Sequence, residues 1–97
     1  MSKVIQLSGD IGWDVTTKSI QSQLKEANGG NITVEISSPG GGVFDGIGIY
    51  NEFKNYSGEI TFVYNGLVAS MASYIPMLPN AKRRAEENSV FMIHNVL

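Results

Sequence analysis

The sequence predicts an α/β fold with a mainly parallel sheet, on the evidence of the order and spacing of its apolar segments. Runs typical of strands alternate with segments of helical spacing, in the order β-α-β-α-β-α-β. Strands joined by helices pair in parallel through crossover connections. The length of 97 residues accommodates a single domain, which we assign to residues 1–97.

The first half of the chain predicts two strands around one helix. The apolar run 4–7 predicts the first strand, which a Ser-Gly-Asp segment ends. Residues 14–27 have helical spacing, with three candidate capping side chains at the start and an Asn-Gly-Gly stop signal after them. We expect Trp13 to cover the start of this helix. Residues 32–36 are β-branched and alternate in polarity, which predicts the second strand.

A glycine-rich break separates this half from the next helix. Residues 37–42, Ser-Ser-Pro-Gly-Gly-Gly, interrupt both patterns before helical spacing returns over 43–56. The predicted apolar stripe of that helix consists of Phe44, Ile47, Tyr50 and Phe53. Residues 60–64 predict the third strand, and the following Asn-Gly predicts a turn.

The C-terminal part predicts a third helix and a fourth strand. The helix covers 70–78, and we expect Pro76 to bend or shorten it because proline removes one backbone hydrogen bond. Residues 82–87 form a charged connection with room for a short strand. Residues 90–93 predict a last buried strand that ends on His94.

Composition excludes several classes of protein. The net charge of −2 carries no electrostatic signature of nucleic-acid binding. The absence of cysteine excludes a disulfide framework and a thiolate metal site, and it fits a reducing compartment. No apolar run approaches the roughly 20 residues that a membrane-spanning helix needs. We therefore expect a cytoplasmic protein with no nucleic-acid or membrane partner.

Three segments with chemical potential follow the carboxyl ends of predicted strands, where ligands of parallel sheets bind. They are the glycines 40–42, Ser70 and His94. A serine at a strand-to-helix turn lies beside free backbone N–H groups and the positive end of a helix dipole. The combination suggests nucleophilic acyl transfer, with His94 as general base and N–H groups of the glycine loop and Met71 as an oxyanion hole.

Each of these features also has an ordinary structural interpretation. A lone serine at a helix start commonly caps or packs, and a lone histidine at a strand end is commonly structural. The glycines lack the Gly-Lys-Ser/Thr ending of a P-loop and the G-x-G-x-x-G spacing of dinucleotide sites.

Four motifs nevertheless keep the order and spacing of one family. They are Ile36-Ser37-Ser38-Pro39-Gly40-Gly41, then Gly46 with Ile49-Tyr50, then Gly66-Leu67-Val68-Ala69-Ser70-Met71-Ala72-Ser73, then Met92-Ile93-His94-Asn95. Over about residues 4–97 they resemble the Clp protease proteolytic subunit family. Within that superfamily, segment 43–47 and the Met-Ile-His-Asn ending look most like the Clp-type phage prohead, or head maturation, proteases.

This resemblance implies a Clp/crotonase fold, a spiral of β-β-α units that assembles into homo-oligomeric rings, and a serine endopeptidase activity on protein substrates. Carried over by position, Ser70 matches the nucleophile, His94 the general base, and Gly41 and Met71 the oxyanion-hole donors. The glycine loop would line a groove for extended substrate. Phage relatives process capsid scaffold or head proteins, whereas bacterial relatives degrade proteins handed over by an ATP-driven unfoldase. No metal or organic cofactor is implied.

One departure limits the resemblance. The family's triad ends with an aspartate well beyond the histidine, whereas this chain stops three residues after His94. We therefore expect the N-terminal part of a protease, truncated before its Asp-bearing segment and weak or inactive by itself, from a bacterial cell and encoded by a phage or prophage. Two alternatives stay open: a non-catalytic ring-forming assembly module, and a crotonase-like acyl-CoA enzyme.

Overall fold

The computed structural model describes residues 3–69, 71–79, 81–85 and 90–92. Within these ranges, five strands form one sheet: β1 (Lys3–Ser8), β2 (Ile32–Ser38), β3 (Ile60–Ala69), β4 (Lys82–Ala85) and β5 (Val90–Met92). The strand order is β1-β2-β3-β4, and β5 pairs with β3 as well. Every one of these pairings is parallel, which confirms the predicted fold class.

Two helices of about three turns connect the first three strands: α1 (Thr17–Ala27) follows β1, and α2 (Val43–Lys54) follows β2. Thr16, one of the three candidate caps, starts α1 through a capping box with Ser19, whose N–H donates to the Thr16 hydroxyl at 3.1 Å. The helix ends at Asn28, which has a left-handed backbone with φ of 50°.

The buried face of α2 matches the predicted stripe at Phe53, and Tyr50 packs half-buried against the core, but Phe44 and Ile47 lie outside it. Gly46, Ile49 and Phe53 are buried, whereas Phe44 is 89% exposed and Ile47 is 39% exposed. The face that carries Ile49 and Phe53 packs on the core, and the face that carries Phe44 is turned to solvent. The expectation for Trp13 is also wrong, because 84% of its surface is exposed.

The hydrophobic core lies between the sheet and these helices. Alternate strand residues such as Ile5, Val34 and Phe62 are fully buried, as the period of two along a strand requires. Phe53 of α2 meets Phe62 edge-to-face, with ring centroids 5.4 Å apart.

β3 is longer than predicted, and the expected Asn-Gly turn is a bulge inside it. Ile36 pairs with Tyr64, whereas Ser38 pairs with Val68, so β3 carries two extra residues between these pairs. Gly66 lies in this bulge with φ of +95°, a conformation that favours glycine. Residues 61–64 of β3 pair with β4, and residues 67–69 pair with β5.

The helix predicted over 70–78 is short and changes type. Its described part comprises α3 (Met71–Tyr74) and a 3₁₀ turn (Ile75–Met77) that contains Pro76. Proline at this position supplies no N–H for an α-helical hydrogen bond, which explains the change. Nη1 of Arg83 in β4 donates to the carbonyls of Pro76 at 2.9 Å and Leu78 at 3.0 Å, and so ties the end of this segment to the sheet.

Candidate active site

The candidate site lies at the carboxyl edge of the sheet. β2 ends at Ser38, just before the glycine loop, and β3 and β5 end side by side because Ala69 pairs with Met92. Adjacent strands lie about 4.8 Å apart. The sequence positions of Ser70 and His94 follow these two strand ends by one and two residues, and both side chains lie outside the described residues.

Gly41 is bridged to the loop that follows β1. The Ile11 N–H donates to the Gly40 carbonyl at 2.8 Å, and the Gly42 N–H donates to the Ile11 carbonyl at 2.9 Å, which makes a parallel bridge between Ile11 and Gly41. In a planar trans peptide the N–H points opposite to the carbonyl of the preceding residue. Since Ile11 holds the Gly40 carbonyl, the Gly41 N–H points away from Ile11, and Gly41 itself is exposed.

This bridge leaves no room for a side chain at position 41. A Cβ on Gly41 would lie 2.2 Å from the carbonyl oxygen and 2.6 Å from the nitrogen of Ile11, and the φ of Gly41 is +152°. Glycine is therefore required by space and by backbone conformation.

The loop that carries Ile11 is held by its own hydrogen bonds. The Asp10 carbonyl accepts hydrogen bonds from the backbone N–H groups of Trp13, Asp14 and Val15, at 3.2, 2.8 and 3.1 Å. The Asp14 carboxylate accepts the Asp10 N–H at 2.8 Å. The turn is thus closed on itself before it reaches α1.

The buried side chain of Ser38 links the segment after β1 to the glycine loop. Its hydroxyl is 2.5 Å from the Gly9 carbonyl and 3.1 Å from the Gly40 N–H, and the residue is 1% exposed. Sequence reasoning missed this contact, although a signal was present. Alternation along β2 directs position 38 to the same face as the buried Ile36, and a buried hydroxyl needs hydrogen-bond partners.

Met71 is the first residue of α3, and its side chain lies outside the described residues. A backbone N–H in the first turn of a helix has no acceptor within that helix. Because α3 has four residues, it supplies little of the macrodipole that the sequence suggested at this point.

The described residues contain no group of three histidine, aspartate or glutamate side chains that could hold a metal ion. Their helices include none that is long and apolar enough to cross a membrane. Two cavities, of about 620 and 360 Å³, are lined by residues such as Gly29 and Gly58 that precede β2 and β3. These cavities therefore lie at the amino edge of the sheet, away from the glycine loop.

The family of the chain follows from comparison with known proteins. Residues 1–97 match the Clp protease family over their whole length. The chain belongs to this family. A Clp-family relative from Bacteroides fragilis, named ATP-dependent Clp protease proteolytic subunit, is 35% identical over 99 residues, which cover 97% of this chain and 47% of the relative. A protein of the same name from Porphyromonas gingivalis is 34% identical and covers 100% of this chain and 46% of its own length.

Solved structures of Clp proteases are similar to the fold described above. A ClpP1 mutant from Listeria monocytogenes superposes with a TM-score of 0.86 at 26% identity, over 95% of this chain and 56% of that chain. The ClpP catalytic domain from Plasmodium falciparum gives 0.84 at 33% identity, over 95% and 55%. The predicted Clp-type fold is confirmed. The chain spans about half the length of the curated relatives it matches.

Proposed function

We propose that the protein acts as a serine endopeptidase of the Clp type. The observation that carries the proposal is the Gly41 amide, which is aimed away from Ile11 at the carboxyl edge of the sheet. A donor that is fixed before substrate arrives is what an oxyanion hole requires. Family membership and the Ser70–His94 motif pair supply the rest of the argument.

In this proposal Ser70 Oγ attacks the carbonyl carbon of a peptide bond while His94 takes the hydroxyl proton. The carbonyl oxygen becomes negative and accepts hydrogen bonds from the backbone N–H groups of Gly41 and Met71. His94 then gives its proton to the leaving amine, which leaves an acyl-enzyme that water hydrolyses with His94 again as base. A carboxylate that orients His94 is expected from outside residues 1–97, because no aspartate of this chain matches the family's position.

The test uses a fluorophosphonate probe on the full-length protein. We expect labelling of the wild type, no labelling of Ser70→Ala, and unchanged labelling of Ser57→Ala, a matched control at an exposed serine. Absence of labelling in the wild type, or equal labelling in Ser70→Ala, would refute the proposal.

The narrower proposal concerns substrate and energy source. We propose processing of phage capsid or scaffold proteins without ATP, on the strength of segment 43–47 and the Met-Ile-His-Asn motif. Cleavage of a purified folded scaffold protein at discrete sites without an unfoldase would support it. Degradation that needs an added unfoldase and ATP would contradict it.

A second candidate is a ring-forming assembly module without catalysis. The exposed rings of Trp13 and Phe44 favour it, because large exposed apolar side chains are typical of protein interfaces. Sedimentation of the wild type and of a double alanine variant at these two positions tests it. This candidate would be supported if the wild-type oligomer dissociates in the variant and the probe labels neither protein. A monomeric wild type would refute it.

A further inference from the structure

Ser38 is a buried polar side chain directly before the glycine loop that contains Gly41. It ends β2 and is 1% exposed, although a serine at the end of a strand is ordinarily solvated. Burying a hydroxyl costs free energy unless it is hydrogen-bonded, so its partners explain its presence there.

The Ser38 hydroxyl has one proton and two acceptor lone pairs. It donates the proton to the Gly9 carbonyl at 2.5 Å and accepts the Gly40 N–H at 3.1 Å. One oxygen atom therefore connects the loop after β1 to the glycine loop after β2. The Gly9 N–H adds a bond to the Ser37 carbonyl at 3.1 Å, so the two loops are joined at successive residues.

Both hydrogen bonds of the Ser38 hydroxyl restrain the surroundings of the Gly40–Gly41 peptide group. The bond to the Gly40 N–H holds the peptide between Pro39 and Gly40, which comes directly before the peptide that carries the Gly41 N–H. The bond to Gly9 anchors the loop from which Ile11 reaches the Gly40 carbonyl at 2.8 Å. Rotation of the Gly40–Gly41 peptide would have to break the Ile11 bond, while the Ser38 bond to the Gly40 N–H holds the preceding peptide in place.

We propose that Ser38 is a positioning residue that holds the Gly41 amide in its outward orientation. The catalytic consequence rests on the function proposed above, whereas the structural role stands without it. Without the hydroxyl, the Gly9 carbonyl and the Gly40 N–H lose a buried partner. The glycine loop then exchanges between orientations, and the Gly41 amide spends less time aimed at a substrate.

The first experiment measures amide hydrogen exchange at Ile11, Gly40 and Gly42 in the full-length protein. We expect Ser38→Ala to accelerate exchange at these amides at least about tenfold, and Ser37→Ala to leave it unchanged. Ser37 is the matched control, since the same atom is removed one residue away from a side chain that faces the other side of the sheet. Unchanged exchange in Ser38→Ala would overturn the proposal.

The second experiment measures peptide hydrolysis by the same variants. Loss of one oxyanion-hole donor lowers the rate about 10²–10³-fold, so partial misorientation in Ser38→Ala should lower kcat about ten- to a hundredfold with KM within about twofold. Ser37→Ala should match the wild type. Accelerated exchange with an unchanged kcat would show that the bond is structural and overturn the positioning role.

A variant in the loop that carries Ile11 covers the case in which Ser38→Ala does not fold. Asp14→Ala removes the acceptor of the Asp10 N–H and loosens the loop that carries Ile11. Faster amide exchange at Ile11 and Gly42 in this variant, but not in Asp10→Ala, supports a restraint of the Gly40–Gly41 peptide by this loop. Equal exchange in the two variants refutes it. If the wild type is not labelled by the fluorophosphonate, the proposed function fails, and the exchange data still decide the structural role of Ser38.

Discussion

Substitution of Gly41 by alanine should disconnect the glycine loop from the loop that carries Ile11. The new Cβ would lie 2.2 Å from the Ile11 carbonyl oxygen, whereas real Cβ atoms essentially never come closer than 3.0 Å. The backbone must therefore move by at least about 0.8 Å. Such a movement lengthens the flanking hydrogen bonds of 2.8 and 2.9 Å beyond the ordinary limit of about 3.2 Å.

The size of the effect follows from these two bonds. A typical hydrogen bond contributes about 0.5–1.5 kcal/mol, so we expect Gly41→Ala to lower the free energy of unfolding by about 1–3 kcal/mol. Under the proposed function, misplacing one oxyanion-hole donor should lower kcat by about 10²-fold or more. Urea denaturation and peptide hydrolysis measure the two effects.

The neighbouring glycine provides the control. Gly42 has φ of −64°, and a Cβ there would meet the Asp45 carboxylate at 3.0 Å, an exposed side chain that can move, and the Ile11 carbonyl oxygen at 3.8 Å. Gly42→Ala should keep both bridging hydrogen bonds and lose at most about 1 kcal/mol as a weaker helix cap. Equal stability of Gly41→Ala and the wild type would refute the reasoning.

Three further changes test other parts of the fold. Phe53→Ala should lower the free energy of unfolding by about 3–5 kcal/mol in urea denaturation, because it opens a cavity against Phe62 in the core; Phe44→Ala, at an exposed position, should cost under about 0.5 kcal/mol. Thr16→Ala should cost about 1 kcal/mol by the same measurement, because the α1 capping box is lost. Burial raises the pKa of Tyr64, and the nearby Arg83 charge opposes this rise, so the folded state favours the protonated phenol. That contribution to stability is present below pH of about 10 and is lost as the pH rises through the folded pKa. Alkaline absorbance titration should show a tyrosine whose pKa is raised above its ordinary value, and Tyr64→Phe should remove it.

Local patterns predicted the order of elements well, because strand alternation and helix stop signals act over a few residues. The capping of α1 by Thr16 and its end at Asn28 are examples. The third helix was predicted too long, although the influence of Pro76 on it was anticipated.

The errors arose where tertiary contacts choose between faces. The α2 sequence has apolar residues on several sides, and the burial of Ile49 rather than Ile47 depends on tertiary packing that the local pattern does not contain. The extension of β3 through Gly66 depends on partner strands far along the chain.

The candidate site shows the same division. Gly41 was predicted from its motif, but the reason it must be glycine is Ile11, a residue 30 positions earlier that no local pattern connects to it. Ser38 belonged to the quoted motif without a role. Ser70 and His94 remain predictions, because both lie outside the described residues.

The bulge around Gly66 constrains how this segment can change in length. Because it adds two residues to β3, Tyr64 before it and Val68 after it both remain buried. Loss of one residue there would exchange the inward and outward sides of everything that follows in the strand. Loss of two would remove the bulge, and because Tyr64 would still pair with Ile36 and Val68 with Ser38, the end of β3 would keep its place beside the glycine loop. The length of this segment can therefore change only in steps of two if the residues after the bulge are to keep their sides, whereas the pairing of Val68 with Ser38 sets the place of the strand end beside the glycine loop.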